Sequence, residues 1–201
     1  FLTSVQWLGF DPARIYVTVF MGDENSPIDN LSIQLWQEQF AKTNINAEVC
    51  SYNQPIASRA NLHIFPLPAK DNWWGPAGAT GPCGPCTEMF YDTTPEKGLL
   101  GLTFDQEVEA GRIIEIWNDV FMEFNKLAED KFEKLAQKNV DTGMGVERTA
   151  AVLNGKKDTF DMELFYPIFA KLEQLTGKKY GLRPEEAKAM RIIADHLKAA
   201  T

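Results

Sequence analysis

The chain has 201 residues, 44% hydrophobic and 24% charged, so it can bury one sizeable core and is neither disordered nor collagen-like. Its 20 basic and 28 acidic residues give a net charge of −8, which excludes a general nucleic-acid binder. No stretch approaches about 18 consecutive apolar residues, which excludes a membrane-spanning helix. The chain begins at Phe1 rather than at a methionine, and no basic, apolar leader is visible. We therefore expect a part of a larger cytoplasmic polypeptide.

Charge is distributed unevenly along the chain. Residues 1–150 hold 11 basic and 21 acidic side chains, whereas residues 151–201 hold 9 and 7. This change of sign is a weak indication of a boundary near residue 150.

The first predicted elements are a buried strand and an amphipathic helix. The strand covers Arg14–Met21, which is rich in β-branched and aromatic residues. The helix begins at Asp29 or Asn30, either of which can cap it, and runs to about Ala41. The apolar stripe expected to face the core consists of Leu31, Leu35, Trp36 and Phe40.

The stretch Asp71–Pro85 combines two tryptophans with several glycines and prolines. It is predicted to be a loop, because this composition does not suit a regular helix or a central strand. A loop of this length is usually functional or disordered, and the tryptophans argue against disorder. A short strand is predicted to follow at Thr87–Asp92.

A long strand is predicted for Arg112–Asn125. By strict alternation, one face carries Ile114, Ile116, Asn118 and Val120, and the other carries Glu115, Trp117 and Asp119. Placing Glu115 and Asn118 among so many apolar neighbours is costly unless each has a polar partner.

The last third of the chain is predicted to be mainly helical. Residues 140–154 indicate a strand end, a glycine turn and a helix start, with Gly155 as the stop. A further helix is predicted from Thr159 or Asp161 to Gly177, with an apolar face of Leu164, Phe165, Ile168, Leu172 and Leu175. The final helix begins at Pro184, a residue that suits the first helical position.

One candidate site is Cys83-Gly-Pro-Cys86. Thioredoxin-like proteins use this spacing for dithiol exchange, with the first thiol at a helix N-terminus, but here a strand is predicted to follow. A structural zinc needs four ligands, and the other candidates (Cys50, His63 and His196) are not paired along the sequence. We interpret the two cysteines as small buried side chains in a rigid turn, with redox and metal roles as alternatives.

The second candidate is Asp141-Thr-Gly143-Met-Gly145-Val-Glu-Arg148. Two glycines would let a planar or phosphorylated ligand approach the backbone closely. Arg148 would lie in the first helical turn, where unpaired N–H groups favour anions, and Asp141 could hold an ammonium group. A tight structural turn explains the glycines equally well, so the residues alone leave both interpretations open.

Several segments together resemble the alanyl-tRNA synthetases, a family of class II aminoacyl-tRNA synthetases. These segments are residues 71–74, 80–92, 115–125, 140–148 and 191–196, and their order and spacing fit the family. The resemblance implies an α+β fold, with a class II antiparallel sheet flanked by helices and followed by C-terminal helices. It also implies two parts, the later part of the catalytic domain in residues 1–155 and the start of a helical tRNA-recognition region in residues 156–201.

The activity implied by the resemblance is a ligase reaction of protein biosynthesis. ATP with Mg²⁺ activates alanine to alanyl-adenylate, and the alanyl group passes to the 3′ end of tRNA(Ala), bound by its acceptor stem. By similarity, the alanine-binding residues are Trp74, Asn118, Val120 and Asp141. The implied ATP-binding residues are Glu115, Gly143, Gly145 and the catalytic Arg148. Glu115 could hold Mg²⁺ with ATP, although a structural carboxylate is an equal alternative, and no zinc is expected in this segment.

The sequence also departs from the family pattern. Ala79 replaces a usually acidic residue, and Trp74-Gly-Pro-Ala-Gly replaces a shorter linker. Class II motifs 1 and 2 and an editing domain are expected elsewhere in the polypeptide, so residues 1–201 alone are not expected to activate alanine. Two alternatives of other classes are a non-catalytic module that binds alanine or nucleotide, and a dithiol redox protein that uses Cys83 and Cys86.

Overall fold

A computed structural model describes residues 1–24, 26–56, 61–97, 101–128 and 131–200. The strands are β1 (Ile15–Phe20), β2 (Glu48–Val49), β3 (Leu62–Leu67), β4 (Trp73–Trp74), β5 (Gly81–Asp92), β6 (Ile113–Ala128) and β7 (Lys131–Met144). The α-helices are α1 (Asn30–Ala41), α2 (Ala69–Asn72), α3 (Phe104–Glu109), α4 (Val146–Leu153), α5 (Tyr166–Thr176) and α6 (Pro184–Ala200). None of the helices in these ranges is long and apolar enough to cross a membrane.

The described strands form a mixed sheet in the order β2-β3-β1-β5-β6-β7, and β4 pairs with β5 beside this path. The pairs β1–β5, β4–β5, β5–β6 and β6–β7 are antiparallel, as the family resemblance implies. The pairs β1–β3 and β2–β3 are parallel, and α1 lies in the crossover connection that returns the chain from β1 to β3 in the same direction. The sheet and its flanking helices confirm the predicted α+β fold.

Hydrophobic clusters cover both faces of the sheet. One cluster packs α1 against β1, β3, β5 and β6 and includes Val17, Trp36, Phe40, Met89 and Ile116. The other includes Tyr16, Phe65, Phe90, Phe104 and Ile113. A third cluster joins α5 and α6 and includes Phe165, Phe169, Met190 and Ala194.

Helix α1 has the predicted bounds, but its buried face is narrower than predicted. The Asp29 side chain caps the helix by accepting a hydrogen bond from the Ser32 backbone N–H at 3.0 Å. Trp36 and Phe40 are buried as predicted, whereas Leu31 is 61% and Leu35 46% exposed. The buried residues lie at an i, i+4 spacing that begins at Ser32, which places both leucines on the flank of the helix.

The prediction that Asp71–Pro85 is a loop is wrong at both ends. Its first residues belong to α2 and β4, and β5 begins already at Gly81. Strand β5 accommodates Pro85 because its pairing with β6 is irregular between Cys83 and Cys86. A Cβ at Gly84 would lie 1.9 Å from the Phe121 carbonyl oxygen, so the close approach of β5 to β6 requires glycine there.

Strand β6 is longer than predicted and contains a bulge. Met89 pairs with Trp117 and Phe90 pairs with Glu115, which leaves Ile116 without a partner in β5. Ile116 lies in the hydrophobic cluster of α1. The strict alternation predicted for this strand is therefore wrong at this point, because the extra residue brings Glu115 onto the face that carries Asn118 and Val120.

The C-terminal helices follow the predicted order with one shifted start. Two 3₁₀ turns, Thr159–Asp161 and Glu163–Phe165, precede α5, which therefore begins at Tyr166 rather than at Thr159 or Asp161. Helix α5 is closed, as predicted, by its C-cap Gly177, whose φ of 68° is left-handed, and α6 begins at Pro184 as predicted. Of the predicted apolar face of α5, Leu164 and Leu175 are exposed.

Candidate active site

One cavity of about 410 Å³ lies at the junction of β4, β6, the end of β7 and the start of α4. Its lining residues are Trp74, Glu115, Asn118, Val120, Asp141, Thr142, Gly143, Met144, Gly145 and Arg148. All eight residues implied as alanine or ATP ligands are among them. Sequence reasoning omitted Thr142 and Met144, which alternate with the named residues of β7 and have no chemical signature of their own.

The register of β6 and β7 brings four of these residues together. Asn118 pairs with Gly143, and Val120 pairs with Asp141. Because residues two apart on a strand share a face, all four border the same cavity. Thr142 supports this register, since its hydroxyl accepts a hydrogen bond from the Trp117 indole N–H and donates to the Asn118 carbonyl oxygen at 3.2 Å.

Arg148 and Glu115 form an ion pair on the cavity wall. The guanidinium Nη1 donates to a carboxylate oxygen of Glu115 and, at 3.3 Å, to the Glu115 carbonyl oxygen. Gly145, the N-cap of α4, donates its backbone N–H to the Ile116 carbonyl oxygen at 3.3 Å. A Cβ at Gly145 would lie 3.2 Å from the Arg148 Nε, so glycine leaves the space in which Arg148 folds back toward β6.

The polar partner that Asn118 requires is Glu88 of β5. Asn118 and Glu88 are paired in the β5–β6 ladder, and the Asn118 Nδ2 donates to the Glu88 Oε1 at 2.9 Å. Burial, with a further contribution from the charge of Glu115, raises the pKa of Glu88 to about 7. The sequence did contain a signal for this contact. Glu88 alternates with Cys86 and Phe90 along a buried strand, so its carboxylate lies on their face and needs a polar partner.

Trp74 is positioned beside the cavity by its strand pairing with β5 and by the contacts of the two residues that precede it. It pairs with Gly84 of β5 and remains 39% exposed, while Trp73 packs against Phe20 at a ring-centroid distance of 5.3 Å. The preceding Asn72 is fully buried and donates from Nδ2 to the Thr18 Oγ1 at 2.8 Å and to the Cys86 carbonyl oxygen at 2.9 Å.

Cys83 and Cys86 lie in β5, are buried, and are not joined by a disulfide. Burial raises the pKa of both thiols, that of Cys86 to about 12, which opposes formation of the reactive thiolate. Neither cysteine lies at a helix N-terminus. The geometry supports the interpretation of small buried side chains and does not favour dithiol exchange.

The described parts of the chain contain no cluster of three or more His, Cys, Asp and Glu side chains arranged to hold a metal ion. A Mg²⁺ ion that enters with a nucleotide needs only one or two protein carboxylates, because phosphate oxygens and water supply its other ligands. Glu115 presents such a carboxylate beside Arg148, so the donor set of the cavity fits a Mg²⁺–nucleotide ligand.

The mixed sheet flanked by helices is consistent with the catalytic fold of the class II tRNA synthetases. The chain matches the family described as tRNA synthetases class II (A) over residues 1–201, and it belongs to that family.

Among individual proteins, the chain is 42% identical over 201 residues to the alanine–tRNA ligase of Treponema pallidum (strain Nichols). It is 40% identical over 200 residues to that of Borrelia hermsii (strain HS1 / DAH). In both comparisons the aligned region covers 100% of this chain and 30% of the relative. The alanine–tRNA ligase of Rubrobacter xylanophilus (strain DSM 9941 / JCM 11954 / NBRC 16129 / PRD-1) is 38% identical over 202 residues, covering 98% of the chain and 21% of the relative. The chain thus spans less than a third of the length of these relatives.

Proposed function

We propose that this chain forms the alanine- and ATP-binding part of a cytoplasmic alanine–tRNA ligase. The observation that carries the proposal is the single cavity into which the eight implied site residues converge from β4, β6, β7 and α4. The relatives support the substrate assignment, because those compared are all named alanine–tRNA ligases.

In this proposal the wall of β6 and β7 binds alanine. The Asp141 carboxylate receives the ammonium group, and Asn118 offers a carboxamide to the same end of the substrate. Val120, which is buried, and Trp74 limit the space for the side chain. This steric limit rejects larger amino acids, but it discriminates weakly against glycine and serine, since one methyl or hydroxyl group is worth only about 1–3 kcal/mol.

The end with Gly143, Gly145 and Arg148 binds ATP. Nothing lies within 4 Å of a Cβ built at Gly143, so a ligand can approach the backbone there. The Arg148 guanidinium contacts a phosphate or the base, and Glu115 orients it through their ion pair. When bound with ATP, Mg²⁺ neutralises phosphate charge, and Glu115 is the residue that would hold it.

The chemical step requires positioning and charge neutralisation rather than a covalent enzyme intermediate. The alanine carboxylate oxygen attacks the α-phosphorus, the bond from this phosphorus to the bridging oxygen breaks, and pyrophosphate leaves. The terminal ribose hydroxyl of tRNA(Ala) then attacks the alanyl carbonyl and AMP leaves. We assign recognition of the acceptor stem to the helices of residues 156–200, which follow the catalytic part, residues 1–155.

The test is alanine-dependent exchange of pyrophosphate into ATP, measured with the complete gene product. Asp141→Asn is expected to raise the KM for alanine, whereas Arg148→Ala is expected to reduce exchange at saturating alanine. Exchange that did not depend on alanine, or that was equal with valine, would contradict the substrate assignment.

A second measurement separates catalysis from binding alone. Calorimetric titration with a non-hydrolysable alanyl-adenylate analogue is expected to show binding that weakens in Arg148→Ala.

Among the described residues that line the cavity, Arg148 is the one cation, and one positive charge is too little to neutralise a triphosphate. Residues 1–201 in isolation are therefore expected to bind the analogue without exchanging pyrophosphate. Binding without exchange in the complete gene product would indicate a non-catalytic module instead.

A further inference from the structure

We infer that Glu88 is a positioning residue that fixes which end of the Asn118 carboxamide faces the bound alanine. The inference rests on the proposed function, in which Asn118 borders the alanine pocket. Glu88 itself is not among the residues that line the cavity. It therefore acts on the substrate through Asn118 and is not a catalytic residue.

A carboxamide has a donor end and an acceptor end, and its two orientations have nearly the same shape. An unconstrained asparagine could present either end to a ligand. The Glu88 Oε1 accepts a hydrogen bond from the Asn118 Nδ2 at 2.9 Å, which directs the amino end of the carboxamide toward β5. The Asn118 Oδ1 is then the acceptor available to the cavity, where an ammonium group requires acceptors.

The sheet holds the two side chains at a fixed separation. Glu88 and Asn118 are opposite each other in the β5–β6 ladder, within the regular segment that runs from the Cys86–Val120 pair to the Met89–Trp117 pair. Side chains opposite each other on neighbouring strands interact at short range. The contact is therefore built into the backbone register and needs no substrate to form.

The charged groups around Glu88 do not provide an ion-pair partner that would compete with Asn118 for its carboxyl group. The charges that act on it are those of Glu115 and Asp71, which disfavour its ionised form, and Arg148, which favours it. Arg148 is itself engaged by Glu115. The hydrogen bond to Asn118 is thus the specific contact that the structure gives to the Glu88 carboxylate.

The test uses Glu88→Leu, Asn118→Ala and the double variant in the complete gene product, with alanine-dependent pyrophosphate exchange as the assay. Glu88→Leu is expected to raise the KM for alanine about tenfold, the upper end of what one buried hydrogen bond contributes, with little change in the KM for ATP. In the Asn118→Ala background, the same substitution is expected to change the KM for alanine less than about twofold, because its target is gone. Additive effects in the double variant, or equal changes in both KM values, would overturn the inference.

Two further variants address folding and specificity. Glu88→Gln keeps the shape and an acceptor oxygen but also offers a donor, so its KM for alanine is expected between those of the wild type and Glu88→Leu. If Glu88→Leu does not fold, a KM for alanine in Glu88→Gln that equals the wild-type value overturns the inference. Glu133→Leu is the matched control, because Glu133 accepts a hydrogen bond from the Asn125 side chain across β6 and β7 at an exposed position.

The experiment also distinguishes this inference from the proposed function. Loss of exchange in the unmodified protein would overturn the proposed function and the inference with it. Normal alanine-dependent exchange in the unmodified protein, with a KM for alanine that Glu88→Leu leaves unchanged, would overturn the inference alone.

Discussion

Asn72 provides the sharpest test of how the fold positions the candidate site. It is the last residue of α2, directly before the two tryptophans of β4, and it is fully buried. Its Nδ2 connects this segment to two strands, because it donates to the Thr18 Oγ1 of β1 and to the Cys86 carbonyl oxygen of β5. Asn72→Leu keeps the number and branching of the side-chain heavy atoms and removes both hydrogen bonds.

The expected loss follows from the two acceptors that remain. Each buried acceptor left without a donor costs about 1–3 kcal/mol, so two give about 2–6 kcal/mol. The apolar side chain recovers part of this cost, because a buried carboxamide no longer has to be desolvated. We expect a loss of about 3 kcal/mol in the free energy of unfolding, a large part of the ~5–15 kcal/mol that is usual for a domain.

Urea unfolding followed by tryptophan fluorescence measures this loss, and the KM for alanine measures its effect on Trp74. Both are expected to change together, because Asn72 is two residues from the cavity-lining Trp74. Asn154→Leu is the matched control: Asn154 also donates a carboxamide hydrogen bond to a backbone carbonyl, at 2.8 Å, but at an exposed position. If Asn72→Leu changed the unfolding free energy no more than this control, the proposed anchoring of β4 would be refuted.

Three further substitutions test the framework around the site. In the wild-type protein the Arg112 guanidinium lies 2.9 Å from the buried Asp92 carboxylate. Arg112→Met leaves this carboxylate without that partner, and urea unfolding is expected to show a loss of about 3–5 kcal/mol in the free energy of unfolding. Gly84→Ala brings a Cβ against the Phe121 carbonyl oxygen, so its thermal unfolding midpoint is expected to fall sharply. His63 has a pKa below its ordinary value of 6.5 because it is buried, so the unfolded chain binds the proton more readily. Stability is therefore lost as the pH falls below about 6.5, and urea titrations at several pH values are expected to show a smaller loss for His63→Gln.

Each of these substitutions has a matched control on the surface. For the buried ion pair it is Lys157→Met, since Lys157 forms an exposed pair with Glu96 at 3.1 Å. For the strand contact it is Gly78→Ala, whose Cβ would meet nothing closer than 4.0 Å, and for the buried histidine it is His196→Gln on α6. A control that matched its buried counterpart would show that the local contact is not the cause of the effect.

The sequence predicted those elements whose signals are local. β1 is a continuous run of β-branched and aromatic residues, α1 has an Asp29 cap, and α6 begins at a proline. The convergence of the site residues was predicted from the family resemblance, since no local pattern relates Trp74 to Asp141.

The features that could not be predicted depend on how one strand pairs with its neighbour in the sheet. The predicted face of Glu115 was wrong because a bulge is a property of two paired strands. The alternation of residues within β6 alone does not indicate it. Glu88 was missed for a similar reason, since its partner Asn118 lies 30 residues further along the chain. The start of β5 at Gly81 was missed because prolines usually exclude a central strand, whereas here Pro85 lies where the pairing with β6 is irregular.

The two irregularities of the β5–β6 ladder together account for the shape of the cavity. Between them the register is regular and places Glu88 opposite Asn118. At one end, the unpaired Ile116 enters the core and turns Glu115 toward Arg148. At the other end, Gly84 leaves the regular ladder and pairs with Trp74, which brings β4 to the mouth of the cavity. A ladder without the bulge would keep Asn118 and Val120 in place, but it would direct Glu115 to the opposite face. The binding surface therefore depends on where the ladder is interrupted as much as on the residues that line it.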